Sequence, residues 1–385
     1  MPDAIPEVVL EVVAFNWDTT SSTDGLNLRR NATTGIVLPE WREGFSTRPE
    51  DSPAAYSITD TAGVQVSIQA RFRHRDGQPG TIEVRAHEEQ AGGNVLGRVR
   101  ARTVTFGAGG QTPMEPFELE DVKLSHWGVG VRTVAWRWEY RAGGGDWKSI
   151  ATSRHLIYSL VSVPKPAWQQ QPFAPGNVEV LWTEVLNYAC EWARGAHDEG
   201  EAARLVTEAV YRLGPAAVTY DCVGGGATHY ANFGFDCTAF LERLGGGVGN
   251  GYYVNCTDCA TITSTFANAL GCDLWQSKMG WNFELNDILG IGSTTWQQCC
   301  PGWTSFSYHE VAFSGACGVA DHVWDACLQV NGGPDPTTAP RVALLPTDML
   351  FGNPGAMMYR DRLASVAGRP NCNPQPATRV RRVIS

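Results

Sequence analysis

The sequence predicts a multidomain chain, β first and then α+β: an N-terminal antiparallel β-sandwich followed by a mixed domain built around a helix. Three observations predict it. Up to about Val163 the apolar residues recur with period two, the mark of half-buried strands. A proline-rich stretch with Pro164, Pro166, Pro172 and Pro175 then interrupts the pattern. Beyond it the apolar spacing turns helical before strand-like runs return. A length of 385 residues suits two or three domains.

Taken in order, strand-like runs fall at Val8 to Phe15, Val64 to Phe72, Ile82 to Ala86, Val99 to Phe106, Val134 to Tyr140 and His155 to Val163. Gly143-Gly144-Gly145-Asp146 reads as a hairpin turn between the last two. Several short strands with turns between them suggest an immunoglobulin-like sandwich over residues 1–163, without the cysteine pair of antibody domains. Residues 164–176 read as a linker. Asn177 is expected to cap a helix through Val178, Leu181, Val185, Leu186, Ala189 and Trp192. A second helix runs through Ala202, Leu205, Val206, Ala209, Val210 and Leu213 and stops at Gly214-Pro215. Two glycine-rich loops, Gly224 to Gly226 and Gly245 to Gly251, read as flexible connections. No Lys-Ser/Thr follows the second, so it is not a phosphate loop.

The stretch Asn255 to Gly271 organises the second half. Cys259, Ile262, Phe266, Ala267 and Leu270 lie on one helical face, Asn255 caps the start with Asp258 completing a capping box, and Gly271 ends the helix. Cys256 therefore occupies the first helical position, where the helix dipole and unpaired N–H groups favour a thiolate. Downstream, His309 stands in the strand-like run Tyr308 to Phe313 and Asp325 in the run Val323 to Leu328. A nucleophile, a base and an orienting carboxylate are the three parts that thiol acyl chemistry needs.

The run Cys256-Thr257-Asp258-Cys259-Ala260, ahead of a helix ending in Leu270-Gly271, resembles the nucleophile helix of the transglutaminase-like superfamily, a rearranged relative of the papain-like fold. Cys256, Asp258 and Ala260 match its pattern; Cys259 stands where an aromatic residue is commoner. His309-Glu310-Val311 is similar to the family's histidine strand and Trp324-Asp325 to its aspartate strand. The resemblance covers about residues 177–345. It implies a papain-related α+β fold, helices upstream of the nucleophile helix, and a Cys256-His309-Asp325 triad acting on peptide or glutamine-type amides. Water as acceptor makes the chain a protease, isopeptidase or deamidase; an amine makes it a cross-linking glutamyltransferase. A catalytically inactive interaction scaffold is the reading from another class.

Rival assignments are weaker. Cys256 and Cys259 form a CxxC, but Cys299-Cys300, Cys317 and Cys327 lack the spacing of a second metal-binding pair. His322 lies three residues before Asp325, on the opposite face of a strand. His229 sits in a glycine-rich loop and Asp321 in a turn. Trp275, Trp281 and Trp303 receive no role. The triad reading invokes no cofactor and no metal.

The formal charge of −10 argues against nucleic acid or an anionic membrane as the main partner. No apolar run approaches a membrane span. The expected partner is a peptide or protein substrate, with the sandwich serving recognition or docking of a protein that the sequence does not identify. All 11 cysteines lie from Cys190 onward. No secretory signal follows Met1, which points to reduced thiols in the cytoplasm, or to export without such a signal and disulfides marked by Cys299-Cys300. Residues 346–385 hold six arginines from Arg360 to Arg382 and three prolines from Pro370 to Pro376, and read as a solvated or packing tail first and a partner-binding arm second.

Overall fold

Two sheets share one core in the first part of the chain. The computed structural model describes residues 7–15, 28–36, 40–59, 66–89, 95–169 and 177–385. It is a mixed, β-rich structure with few helices. The described residues divide into two compact units, 7–162 without 31–33, and 31–33 with 163–169 and 177–385. Val64 and Gln65, and residues 170–176 of the expected linker, lie outside the described residues.

In the first unit a four-stranded sheet runs in the order Glu40–Arg42, Val8–Phe15, Ile68–His74, Glu115–Phe117. A five-stranded sheet runs Pro53–Ser57, Lys148–Leu160, Gly130–Arg141, Gly80–Glu88, Val99–Phe106. Val134, Trp136, Trp138 and Tyr140 point alternately inward from the Gly130–Arg141 strand, as period two requires. They meet the opposite sheet: Phe15 stacks on Trp136 at 5.9 Å, and Phe72 and Phe117 set their edges against Trp138 at 5.7 and 5.4 Å. The indole N–H groups still find acceptors, Trp136 in the Gly97 carbonyl and Trp138 in Ser153 Oγ. One pairing departs from an all-antiparallel arrangement. Pro53–Ser57 lies parallel to Leu156–Leu160. Its position at the sheet's edge also suits Pro53, which has no N–H to give.

The second unit is organised by α4 (Cys256–Ala269), with α1 (Thr183–Trp192), α2 (Glu199–Tyr211), α3 (Cys237–Leu244) and α5 (Tyr359–Leu363). The sequence predicts a helix with one apolar face; every residue of α4 is buried. Such a helix must satisfy its polar side chains internally. Thr261 and Ser264 donate to the carbonyls of Thr257 and Ala260, both at 2.8 Å, and Gln276 Nε2 donates to Ser264 Oγ. Trp192 and Phe240 pack on Phe266. On the other side α4 meets the sheet Trp275–Met279, His309–Phe313, His322–Trp324, Met349–Leu350.

Several sequence expectations need correction. α1 begins at Thr183, not near Asn177, whose side chain instead accepts the Glu179 N–H in a turn. α3 was not expected; it is two turns long, and Asp236 caps it through the Ala239 N–H. Residues 164–169 are no free linker. Lys165 N–H donates to the Asn268 carbonyl, Asn268 Nδ2 to the Pro166 carbonyl, and the buried Trp168 indole to the Thr265 carbonyl. These bonds tie the stretch to the last turn of α4. The C-terminal stretch, read as a solvated or packing tail, is a packing one. Val380 exchanges both backbone bonds with Gln276, and Gln375 and Asn373 bond Lys278 and Gly280, so the tail covers the exposed edge of the Trp275–Met279 strand. Tyr359, Cys372 and Ile384 are buried.

Cys222 and Cys300 form a disulfide; the other nine cysteines are free thiols. No helix among the described residues is long and apolar enough to cross a membrane.

Candidate active site

A helix mouth, a strand and the turn after a strand bring three side chains together. Cys256 is the first residue of α4. Asn255 accepts the Asp258 N–H at 3.0 Å and Asp258 accepts the Asn255 N–H at 3.1 Å, so the capping box is closed. Neither Cys256 nor Thr257 gives its N–H to any acceptor among the described residues. The positive end of the helix is thereby left facing the sulfur. Cys256 is 6% exposed, more than any other free cysteine.

His309 opens the strand His309–Phe313 and is fully buried. The Asp325 carboxylate meets its Nε2 at 2.9 Å through Oδ2. Phe306 stacks on the ring at 5.3 Å and holds its plane. The other nitrogen, Nδ1, has no well-formed hydrogen bond among the described residues. Cys256 lies near enough to act on the ring. Burial by itself lowers the imidazole pKa. The Asp325 charge and hydrogen bond, and then Cys256, outweigh it and raise the value to about 10. The charged ring therefore contributes stability in full below its ordinary value of 6.5, and that contribution is lost as pH rises through about 10.

Asp325 lies in the turn after His322–Trp324 rather than within a strand. Its Oδ1 accepts the Cys327 N–H at 2.8 Å, and its Oδ2 also accepts the Tyr359 hydroxyl at 2.7 Å. Tyr359 was missed by sequence reasoning. It lies in the tail, 34 residues beyond Asp325, and no local pattern marks it. Burial, then the adjacent Asp325, keeps its phenol pKa well above the usual value, so it stays a donor. Replacing Asp325 by Asn removes the charge that raises His309. The imidazole is expected to titrate well below 10, toward its ordinary value of 6.5, read from the His309 ring signals by NMR.

The loop before α3 is braced against the same helix mouth. Asp258 accepts the N–H groups of His229, Tyr230 and Ala231 at 3.0, 2.7 and 2.9 Å. Asn255 Nδ2 donates to the Gly226 carbonyl and to Thr228 Oγ1. Asp221, also buried, accepts from Val223 and Ala227 and meets His229 Nε2 at 3.1 Å. Gly224 to Gly226 was expected to be a flexible connection; these bonds and the Cys222–Cys300 bridge hold it. A side chain at Gly224 would run into the Asp221 carboxylate.

The remaining candidates lie elsewhere. His322 is half exposed and pairs with Asp348 at 2.8 Å. Asp321 accepts the Gly318 N–H in a turn. Trp275 is packed between the Arg379 and Arg381 guanidinium groups. Cys259 shares a hydrogen bond with Cys327 that lowers its pKa, yet burial and nearby acidic groups raise it overall. Burial pushes Cys299 up to about 12 and Cys327 well above the ordinary thiol value. Among the described residues no three His, Cys, Asp or Glu side chains gather as metal ligands would.

No family model matches the chain, and no curated protein matches it. The structure is similar to the crystal structure of red sea bream transglutaminase, with 10% identity, 73% of this chain and 50% of that chain covered, and a TM-score of 0.36. The chain spans about half the length of that transglutaminase.

Proposed function

We propose that the second unit is a thiol hydrolase acting on peptide or glutamine-type amides through an acyl-enzyme on Cys256. The observation that supports this most is the buried imidazole of His309, held by Asp325 on Nε2 and near enough to Cys256 for the two to interact. In this reading His309 holds the thiol proton and the thiolate attacks the amide carbonyl. The free N–H of Cys256 receives the developing oxyanion. Protonated His309 then gives its proton to the leaving amine, and water resolves the thioester. Asp325 and Tyr359 orient the ring and stabilise its charge without touching substrate.

The first unit is, in the same proposal, an immunoglobulin-like sandwich that docks a protein partner. Its two sheets with one shared core support that reading.

The test is product analysis. Blocked glutaminyl peptides are incubated with the chain, with and without a primary amine. Mass spectrometry then separates bond cleavage, deamidation and amine incorporation. Cleavage or deamidation that persists when amine is added is the expected result. Amine incorporation as the main product would make the chain a glutamyltransferase. Absence of any product across a peptide library would leave a scaffold.

A further inference from the structure

We infer that the cavity beside Cys256 receives a carboxylate of the acyl-donor peptide and that Lys278 recognises it. The inference rests on the reading of Cys256 as nucleophile. It deepens that reading by naming a substrate class.

The cavity measures about 200 Å³. Its lining includes Thr257, one residue along α4 from Cys256, and Tyr308 and Glu310, the residues flanking His309. Burial raises the Tyr308 phenol pKa and the nearby Cys256 adds to it, which sets the sulfur near this lining.

The charges inside do not cancel. Glu310 is buried, and Arg382 Nη1 meets its Oε1 at 2.6 Å while Nη2 and Thr257 Oγ1 meet its Oε2 at 3.2 and 3.0 Å. That carboxylate and that guanidinium neutralise one another. Lys278 stands directly opposite Glu310 in the strand register, yet it makes no ion pair among the described residues. Its Nζ sits over the Tyr308 ring at 4.0 Å. The ring face takes one side of the ammonium and leaves N–H donors unspent.

One uncompensated positive charge thus lines a cavity in a chain whose formal charge is −10. The discrimination is local rather than a long-range field. Phe233, fully exposed at the rim, offers an apolar wall for an aliphatic stem. An aspartyl or glutamyl side chain has both parts. The chain-terminal carboxylate of a short peptide shares the charged part alone.

Protection of Cys256 from iodoacetamide tests the inference. Three peptides of one sequence are compared: blocked at both ends with Glu beside the reactive residue, the same with Gln, and the Gln peptide with a free C-terminus. The Glu peptide is expected to protect at roughly fivefold lower concentration than the blocked Gln peptide, the effect of a part-buried ion pair. Lys278→Gln should erase that ratio, and Lys278→Glu should invert it, making the Glu peptide the weaker protector. Stronger protection by the free C-terminus would assign the carboxylate to the chain end and keep Lys278 as its reader. Equal protection by the Glu and Gln peptides, a ratio that survives Lys278→Gln, or no protection by any peptide would overturn the inference. In all of those cases selective labelling of Cys256 would stand. Its absence is instead the failure of the proposed function.

Discussion

Cys256→Ala is expected to abolish amide turnover, lowering kcat by a factor on the order of 10⁴ or more, because the acyl-enzyme has no other sulfur to form on. Cys259 lies one turn along the same helix but is buried, and its pKa is raised. Cys327 and Cys299 are held as thiols by burial. Alanine fills the first position of α4 without disturbing the Asn255–Asp258 cap, so the folded state should persist, as circular dichroism would show. His309→Ala should cost a similar factor, and the double variant little more than either single one, because the pair acts as a unit. A Cys256→Ala protein retaining more than about a tenth of wild-type turnover would remove the nucleophile from the account.

Asp258→Ala is expected to be the most destabilising single change near the site, by about 3 kcal/mol or more in urea unfolding. The carboxylate takes backbone N–H groups from Asn255, His229, Tyr230 and Ala231. All four donors lose their acceptor in the alanine variant. Asp258→Asn supplies one carbonyl oxygen for two carboxylate oxygens and should recover only part of the loss. Burial raises the Asp258 pKa even against these donors. A raised carboxylate favours the folded state as pH falls and loses that contribution as pH rises, so mild acid should not release the loop through this group. A destabilisation below about 1 kcal/mol would show that the loop at 229–231 is held by other bonds.

Much of the site's geometry was legible because it rests on local rules. A capping box is written in four consecutive residues, and it put Cys256 at a helix mouth. The runs read as strands around His309 and Asp325 do follow one another and pair, although Asp325 itself falls in the turn after the second. What was not legible depends on distance along the chain. Tyr359 reaches Asp325 across 34 residues, and Arg382 reaches Glu310 across 72. Basic composition left the tail open between solvated and packing; its arginines find buried or ring-faced partners. With 11 cysteines, the Cys222–Cys300 pairing was beyond spacing rules. The parallel edge pair at Pro53–Ser57 was hidden for the same reason, its partner lying about a hundred residues on. α3 was legible yet passed over: Cys237, Phe240, Leu241 and Leu244 fall at helical spacing between the Asp236 cap and Gly245.

The most direct measurement of the central claim is iodoacetamide labelling at about pH 6.5, mapped peptide by peptide. The geometry predicts that Cys256 is modified far faster than the eight other free thiols, which are more deeply buried. It also predicts that His309→Gln slows the reaction, because the thiolate loses the imidazolium that stabilises it. Cys259→Ala should leave the rate as it was. Equal and slow labelling of Cys256 and Cys259, unchanged by the His309 substitution, would contradict the account.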